Sequence, residues 1–538
     1  MTGATDASPA RTGWWTALRA ESAPARAGLF IVAGFTLFKL ALVPFVGLDT
    51  NEAYAIAGGR HLQFSYFDHP PLHFWMAHLC ALVFGDTRYA RIPFILLGAG
   101  ASWLLFALTR RLYGDRAALW AVLALNLSIF FSLISGNWIL PDGPLNIFLL
   151  AAALALSPLA TAEQIPSPRR WLLAGLWLGL AALSKYHAAF FAVSVFLLIA
   201  TDPLRRRILL SPWPYLGLAV AAAIFSPVLI WNGTNHWVSF AFQGGRAAAG
   251  HRFRPGVFVS LLAAQFAMIS PWVAVPLGLS VAQAWRRPAR PADRYCLWLG
   301  LPLGLFMTFA PLWSGGGMLQ WAMPGWLLLF PLFGDFLARK SGTNGWPGKW
   351  AAWSAAAFAI FAIGAASDAA SGWIGAAFPE IFRKGDPLLE NLEWTSLPPA
   401  LAAKGLLPTK NMFLITFDWR AAAKLDQAFD GRMPVVVFSA DPRSFGYLTD
   451  PNTLLGTDAL VLNEPRSAKY SLPALGSYFL RTANAGTIML GRNGRPEITL
   501  SIVRSEGLKR PFPPPYSAPA KRRGRSNLLQ IKARQDER

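Results

Sequence analysis

The first long apolar run occupies residues 28–47 and reads GLFIVAGFTLFKLALVPFVG. A helix needs about 20 mostly apolar residues to cross the ~30 Å hydrocarbon core of a bilayer, so this run predicts a membrane span. It is followed at once by LDTNEAYAIAGGRHLQFSYFDHPPLHFWMAHL (48–79), which mixes carboxylates, histidines, aromatic rings and a proline pair. The two stretches together predict a membrane protein that holds chemically active side chains close to the membrane surface.

The composition supports this interpretation. Of the 538 residues, 54% are hydrophobic and only 14% are charged, and the mean hydropathy is +0.37. A soluble globular protein carries about 25% charged residues, so a water-soluble enzyme is disfavoured, and a disordered chain would hold far less apolar material. The net charge is +21, but Arg and Lys lie in short groups between apolar runs. That placement indicates membrane topology and no nucleic-acid partner.

Ten further apolar runs bring the predicted number of spans to about eleven. They lie at 90–109, 117–136, 143–160, 171–184, 187–201, 213–231, 257–284, 295–312, 321–338 and 350–368. The run at 257–284 is long and contains Pro271, which predicts a kink. If the N-terminus is cytoplasmic, the inside loops hold about twice as many Arg and Lys residues as the outside loops, which is the favoured orientation. An odd number of spans then places the C-terminal part outside.

The chain changes character after about residue 370. Five short β-rich stretches, at 413–417, 434–438, 458–462, 487–491 and 497–503, predict strands, and the first two are separated by an amphipathic helical pattern. The fold class expected is an all-α polytopic membrane domain with a C-terminal α/β extracytoplasmic domain. The predicted divisions are 1–27 (cytoplasmic segment), 28–368 (membrane domain, with a first outer loop at 48–89), 369–508 (α/β domain) and 509–538 (basic disordered tail).

Carboxylates from two outer loops are the candidate catalytic groups. Asp49 and Glu52 follow the first span, with a spacing that also fits a helix capping box, and Tyr54, Asp68 and His69 lie further along the same loop. Asp142 begins the fourth apolar run, in the second outer loop (137–145), where it also fits a helix N-cap.

Basic and aromatic side chains are expected on the same face. Lys185 lies in a short helical hairpin, and a later outer loop carries His236, Gln243, Arg246, Arg252 and Arg254. Guanidinium groups bind phosphate well, although Trp and Arg at such positions also anchor lipid headgroups. Cys80 and Cys296 form no disulfide framework or metal motif.

The chain resembles the membrane-embedded GT-C glycosyltransferases of the protein O-mannosyltransferase and lipid A aminoarabinose transferase kind. The resemblance runs along most of 30–340. Its strongest segments are EAY (52–54), YFDHPPL (66–72), PDGPL (141–145) and GLWLGLAALSKY (175–186), and NHW (235–237) and QWAMP (320–324) are similar to later segments.

The resemblance implies a transferase that takes a sugar from a polyprenyl-phosphate carrier and passes it, with inversion, to a lipid, glycan or protein acceptor. It also implies a multi-pass bacterial inner-membrane protein with its active site on the extracytoplasmic side. One departure is clear, because Asn51 stands where the family usually has Asp before the Glu of its first motif. His69 likewise stands where the aminoarabinose transferases tend to carry Lys, which favours the broader bacterial group.

The chemistry of glycosyl transfer gives each candidate a role. A carboxylate within about 3 Å takes the proton of an acceptor hydroxyl, and we expect Asp49, or otherwise Glu52, to be that base while Asp142 orients the acceptor or a partner group. Cations lower the barrier to departure of the carrier phosphate. The donor phosphate-binding set is expected to be Lys185, Arg246, Arg252, Arg254 and His69, and the substrate-binding set Tyr54, Asp68, His236 and Gln243.

No metal site and no obligatory cofactor are expected, although a divalent metal is possible. Three other interpretations stay open from the sequence. They are a membrane transporter, a noncatalytic membrane scaffold, and a polymer-forming transferase of the same fold.

Overall fold

The computed structural model describes residues 21–161, 164–248, 255–286, 290–312, 318–341, 345–380, 386–464 and 475–512, without the side chains of 246–248. The first half of the chain forms ten helices in these ranges. They are α1 (Ala23–Leu42), α2 (Thr50–Gly59), α3 (Leu72–Phe84), α4 (Ile92–Tyr113), α5 (Asp115–Asn126), α6 (Asp142–Ala155), α7 (Pro168–Ser184), α8 (Ala189–Ala200), α9 (Trp213–Thr234) and α10 (Val238–Ala248).

The second half adds ten helices and one sheet in the described ranges. The helices are α11 (Pro255–Ile269), α12 (Pro271–Trp285), α13 (Pro291–Phe309), α14 (Met323–Leu327), α15 (Phe330–Lys340), α16 (Trp346–Ser371), α17 (Trp373–Ala377), α18 (Leu397–Ala403), α19 (Trp419–Ala428) and α20 (Phe445–Leu448). The strands are β1 (Met412–Thr416), β2 (Val435–Val437), β3 (Asp458–Asn463), β4 (Phe479–Arg492) and β5 (Arg495–Leu508).

Every predicted apolar run is helical over most of its described length, and several are long enough to cross a membrane. By length and composition, five described segments qualify, and a sixth qualifies if the bent pair α11–α12 is one span. The chain is therefore a multi-pass membrane protein of mostly helical structure. The remaining runs are short or interrupted, so the number of eleven spans stays a prediction.

Two of the predicted runs are broken by identifiable features. The pair α11–α12 bends by 101° at Ser270, whose backbone has a φ of 82°, so the kink predicted at Pro271 is confirmed. The run 117–136 is interrupted after α5 and continues as a π-helical turn, Ile129–Ile134. The two breaks meet, because the backbone N–H of Ile129 donates to Ser270 Oγ at 3.0 Å. The Ser270 side chain at one break therefore satisfies a backbone N–H that the other break leaves open.

Small residues set the distance between the membrane helices. A Cβ atom built on Gly175 of α7 would lie 2.1 Å from the carbonyl oxygen of Gly217 in α9. In lipid there is little hydrophobic drive between helices, so close backbone approach through glycine is a main source of packing energy. This contact fixes the position of α7 against α9. Lys185 directly follows the C-terminal end of α7.

The C-terminal domain is a mixed sheet with the strand order β2-β1-β3-β5-β4. β1 runs parallel to β2 and β3, whereas β5 is antiparallel to both β3 and β4. The predicted strand–helix–strand unit is confirmed as β1–α19–β2. β4 and β5 are longer than predicted, at 14 residues each, and they join at Asn493-Gly494, where both residues have positive φ, as a tight hairpin turn requires.

The C-terminal domain shares one hydrophobic core with the first outer loop. Leu48, Ala53 and Tyr54 of the loop belong to the same buried cluster as Leu414 and Leu425 of the domain. Polar contacts hold the edge of this interface, because Lys424 Nζ donates to the Leu48 carbonyl at 2.6 Å and Arg60 pairs with Asp426. The domain therefore sits directly against the loop that carries the predicted catalytic carboxylates.

The glycine contact between α7 and α9 gives a test of the packing. Gly175→Val should lower the melting temperature of the detergent-purified protein by several degrees, because the added side chain forces the helices apart at a cost of about 1–3 kcal/mol. The matched control is Gly278→Val in α12, where a Cβ atom meets nothing within 4 Å. Equal melting temperatures for the two variants would contradict the assigned close contact.

Candidate active site

A cavity of about 560 Å³ lies where the outer loops, the membrane helices and the C-terminal domain meet. Its polar part is lined by groups from both outer loops and from the domain: Asn51, Tyr54, Asp68, His69, His73, Asp142, Lys185, Gln243, Glu390, Trp419, Arg420 and Arg443. Its apolar part is lined by membrane-helix side chains that include Phe130, Ile134, Phe190, Met268, Phe306 and Met307. One continuous space thus joins charged and hydrocarbon surfaces.

Asp49 is the N-cap of α2. Its carboxylate accepts hydrogen bonds from the backbone N–H and the side-chain Nδ2 of Asn51, both at 2.8 Å, and the Asp49 N–H donates to Glu52 Oε2 at 2.8 Å. The predicted capping box is confirmed. Burial raises the pKa of the Asp49 carboxyl, and the hydrogen bonds from Asn51 oppose that shift. Asn51 lines the cavity, and the buried Asp49 carboxylate fixes the orientation of the Asn51 side chain.

Glu52 is fully buried in a network that joins the two outer loops. Its side chain is 0% exposed and pairs with Arg91, which is 1% exposed. Arg91 also donates to the carbonyls of Val46 and Gly47, each at 2.9 Å, and the backbone N–H of Ile139 donates to Glu52 Oε1 at 3.1 Å. Burial raises the pKa of the Glu52 carboxyl, and Arg91 opposes the shift.

Asp142 and Lys185 form a second buried ion pair, on the wall of the cavity. Lys185 Nζ lies 2.8 Å from Asp142 Oδ1, and each side chain is 6% exposed. Asp142 lies in the first turn of α6, where the helix dipole favours a negative charge. Lys185 directly follows the C-terminal end of α7. The pair therefore fastens two membrane helices at the point where they reach the cavity.

Asp68 is the centre of a third group, which connects the first outer loop to the C-terminal domain. The Tyr54 hydroxyl donates to Asp68 Oδ1 at 2.8 Å, and Arg443 Nη1 lies 3.5 Å from Asp68 Oδ2. Ser444 donates its backbone N–H to the Tyr54 hydroxyl at 3.0 Å, and Gln243 Nε2 donates to the Asp68 carbonyl at 2.6 Å. Burial is the main cause that raises the pKa of Tyr54 well above its ordinary value.

The structure brings together about half of the predicted site residues. Those that line the cavity are Tyr54, Asp68, His69, Asp142, Lys185 and Gln243. Asp49 and Glu52 are buried next to the cavity without lining it, and His236 is exposed on a turn outside it. Arg252 and Arg254 lie outside the described residues, as does the side chain of Arg246.

The sequence did not identify the residues by which the C-terminal domain contributes to the cavity. Glu390, Trp419, Arg420 and Arg443 line it together with the membrane-domain residues. Trp419 and Arg420 stand at the start of a helix, and Arg443 stands in a loop with a backbone φ of 54°. Nothing in the sequence around these residues links them to a loop more than 300 residues earlier in the chain. His73 was likewise visible only as part of an amphipathic helix.

No group of three His, Cys, Asp or Glu residues is arranged for a metal ion in the part of the chain that the structure describes. Carboxylates of the cavity are instead paired with Lys and Arg side chains, as in Asp142–Lys185. The expectation that no metal is obligatory stays a prediction.

Comparison with known proteins gives consistent matches. A family model described as dolichyl-phosphate-mannose-protein mannosyltransferase matches residues 68–231. The lipid A galacturonosyltransferase RgtD of Rhizobium johnstonii is 26% identical over 305 residues, which are 53% of this chain and 60% of that protein. An undecaprenyl phosphate-alpha-4-amino-4-deoxy-L-arabinose arabinosyl transferase of Edwardsiella ictaluri is 26% identical over 303 residues, 53% of this chain and 52% of that protein.

A solved structure extends the similarity to the whole fold. ArnT from Cupriavidus metallidurans, bound to undecaprenyl phosphate, superposes with a TM-score of 0.59 over 88% of this chain and 97% of that one, at 15% identity. At this identity the similarity concerns the fold alone. The matches to curated relatives span 60% or less of their lengths. Together these findings confirm the resemblance to the GT-C glycosyltransferases of the protein O-mannosyltransferase and lipid A aminoarabinose transferase kind.

The buried Glu52–Arg91 pair gives the second prediction. Glu52→Gln should destabilise the protein by about 3 kcal/mol, because it leaves Arg91 buried without a countercharge. The measurement is thermal unfolding of the purified protein, with Glu506→Gln as the control, since Glu506 is 45% exposed. A Glu52→Gln variant as stable as the control would show that the ion pair is not what holds the two outer loops together.

Proposed function

We propose that this chain is a glycosyltransferase that moves a sugar from a polyprenyl-phosphate carrier to an acceptor at the extracytoplasmic face of a bacterial inner membrane. The observation that carries the proposal is the single cavity in which a carboxylate, a lysine and a hydrocarbon-lined space adjoin. A lipid-linked sugar needs both surfaces at once, because its sugar phosphate is polar and its tail is apolar. The curated relatives are named as transferases of this kind.

The apolar part of the cavity suits the carrier tail. Phe190, Phe306 and Met307 belong to α8 and α13, and Met268 to α11, so the space lies among apolar helices, of which α13 is long and apolar enough to cross a membrane. Met side chains adapt to an irregular chain because they are unbranched and polarisable. A prenyl chain can enter this space from the bilayer while its phosphate stays at the polar end.

Asp142 is the carboxylate best placed to accept the acceptor proton. Its Oδ1 accepts a hydrogen bond from Lys185 Nζ at 2.8 Å, which fixes the carboxylate on the wall of the cavity that Asp142 lines. A carboxylate in hydrogen-bond reach of an attacking hydroxyl is what general-base catalysis requires. This proposal changes the order expected from the sequence, in which Asp49 came first, because the Asp49 carboxylate is directed to Asn51.

Lys185 serves the leaving group in this proposal. The bond between the anomeric carbon and the phosphate oxygen breaks through an oxocarbenium-like transition state, while negative charge grows on the carrier phosphate. An ammonium held at a fixed position by Asp142 stabilises that charge without reorganisation. His69 lies on the same lining, and the amide of Asn51, oriented by Asp49, is available to a sugar hydroxyl.

The acceptor is expected to approach from the side of the C-terminal domain. That domain forms the cavity wall opposite the membrane helices through Trp419, Arg420 and Arg443. We propose a lipid acceptor in preference to a glycan or protein, since the Rhizobium johnstonii relative is named as a lipid A galacturonosyltransferase. The divisions at 27, 368 and 508, the eleven spans and the absence of an obligatory metal remain part of the proposal.

The third prediction concerns the base. Asp142→Asn should lower the rate of sugar transfer by about 10²–10⁴-fold, the usual contribution of a general base. Because the change also removes the countercharge of buried Lys185, thermal unfolding of the variant is measured beside transfer, and the rate is compared for folded protein. Transfer from a radiolabelled polyprenyl-phosphate sugar to extracted envelope lipids measures the rate. Asp430→Asn is the control, because Asp430 is 62% exposed and is not among the residues that line the cavity. Full transfer by the Asp142→Asn variant would remove Asp142 from the mechanism.

The fourth prediction tests the function itself. Purified wild-type protein should transfer label from the carrier-linked sugar to lipid, and mass spectrometry of envelope glycolipids should show the product only in cells that hold the protein. Accumulation of free substrate inside sealed vesicles, with no covalent transfer, would instead identify a transporter. Absence of both activities would favour a noncatalytic scaffold.

A further inference from the structure

The C-terminal domain presents two arginines that both lie against one aromatic ring at the cavity. The Arg420 guanidinium lies 4.8 Å from the centre of the Trp419 ring, and the Arg443 guanidinium lies 5.4 Å from the same ring. Arg443 also lies 5.0 Å from the ring of Phe242 in α10. We call Trp419, Arg420 and Arg443 the arginine platform. All three line the cavity.

The platform is held in place by its surroundings. Trp419 packs edge-on against Tyr54, with ring centroids 5.2 Å apart, and it begins α19 directly after the N-cap Asp418. Arg443 is only 18% exposed and sits between Phe242 and Trp419, with its Nε 3.2 Å from Asp441. Stacked guanidinium groups lose little freedom when they bind a ligand, so a preorganised pair of this kind favours recognition.

The carboxylates near the platform hold Arg420 less closely than Arg443, whose Nε lies 3.2 Å from Asp441. Arg420 is 53% exposed, and its ion pairs with Asp418 and Glu390 are long, at 3.6 and 3.9 Å. Arg443 lies 3.5 Å from Asp68, a carboxylate that the Tyr54 hydroxyl approaches more closely, at 2.8 Å. Exposed pairs such as the two of Arg420 contribute little energy, so a ligand anion can displace them, whereas at Arg443 it would share the guanidinium with Asp68 and Asp441.

The platform is separate from the group proposed to hold the carrier phosphate. Lys185 is paired at 2.8 Å with Asp142, and both belong to the membrane domain, whereas the platform belongs to the C-terminal domain. The platform is therefore a second cationic group in the same cavity. A planar guanidinium fork matches the two oxygens of a carboxylate or a phosphate.

We propose that the arginine platform is a specificity determinant that binds an anionic oxygen group carried by the substrates, in addition to the carrier phosphate. The group is a carboxylate of the transferred sugar or a phosphate of the acceptor, because both present the same pair of oxygens. This inference rests on the proposed transferase function and adds the charge class of its substrates.

The experiment compares charged and neutral substrates with the full-length protein in lipid nanodiscs. The donors are a polyprenyl-phosphate-linked hexuronic acid and the matching neutral hexose, and the acceptors are lipid A with and without its phosphates. The variants are Arg420→Gln, Arg443→Gln and Arg443→Lys, which keeps the charge and loses the planar fork. The control is Arg432→Gln, in the same domain and 81% exposed.

Wild-type protein should prefer one charged substrate over its neutral partner by at least about tenfold, as charge-assisted hydrogen bonds allow. In the two Gln variants, kcat/KM should fall for the charged substrate alone, so that most of the preference is lost. The Arg443→Lys variant should lose part of the preference, and the Arg432→Gln control should lose none. If the variants lose the preference for the charged donor, the anionic group belongs to the sugar. If they lose the preference for the phosphorylated acceptor, it belongs to the lipid.

Two results would overturn the inference, and they differ from each other. If the wild type transfers sugar but the Gln variants keep its charged-to-neutral ratio on both substrate pairs, the platform has no specificity role and the proposed function stands. If the wild type transfers from none of the donors while it remains folded, the proposed function fails and the inference fails with it. Melting temperatures of all variants identify any loss caused by misfolding.

Discussion

The buried pair between Glu52 and Arg91 is the constraint on which the site depends. Arg91 reaches the carbonyls at the end of the first span, and Glu52 reaches the backbone of Ile139 in the second outer loop. Two charges in a nearly dry position are costly unless each is fully satisfied, and here both are surrounded by hydrogen-bond partners. The network therefore fixes the distance between Asn51 on one loop and Asp142 on the other.

A second constraint comes from the C-terminal domain, which shares its core with the first outer loop. Lys424 shows how closely the two parts fit, because burial lowers its pKa to about 8 although Asp49 lies close enough to oppose the shift. A domain held in this way closes the cavity on the side that the membrane helices leave open. The site is thus built from the end of the membrane domain and the face of a sheet domain, and neither part contains it alone.

The sequence allowed much of the fold to be predicted. The apolar runs predicted the membrane helices, Pro271 predicted the bend at Ser270, and the β-rich stretches predicted the strands of the sheet. It could not give the interruption at Ile129–Ile134, because an apolar run looks the same whether its helix is straight or broken. The capping-box spacing of Asp49 and Glu52 was visible, but the position of Arg91 beside Glu52 depends on tertiary contacts. Arg443 reaches Asp68 only because the domain packs onto the loop, so no local pattern predicts it.

The central claim is that the cavity holds the carrier lipid with its phosphate at the polar end. The most direct measurement is photo-crosslinking with a polyprenyl phosphate that carries a diazirine on the isoprene unit nearest the phosphate, followed by peptide mapping. We expect adducts on the cavity side chains of α8, α11 and α13, among them Phe190, Met268 and Phe306, and their loss with excess unlabelled polyprenyl phosphate. Adducts confined to the lipid-facing surfaces of α1 and α9, unaffected by the competitor, would contradict it.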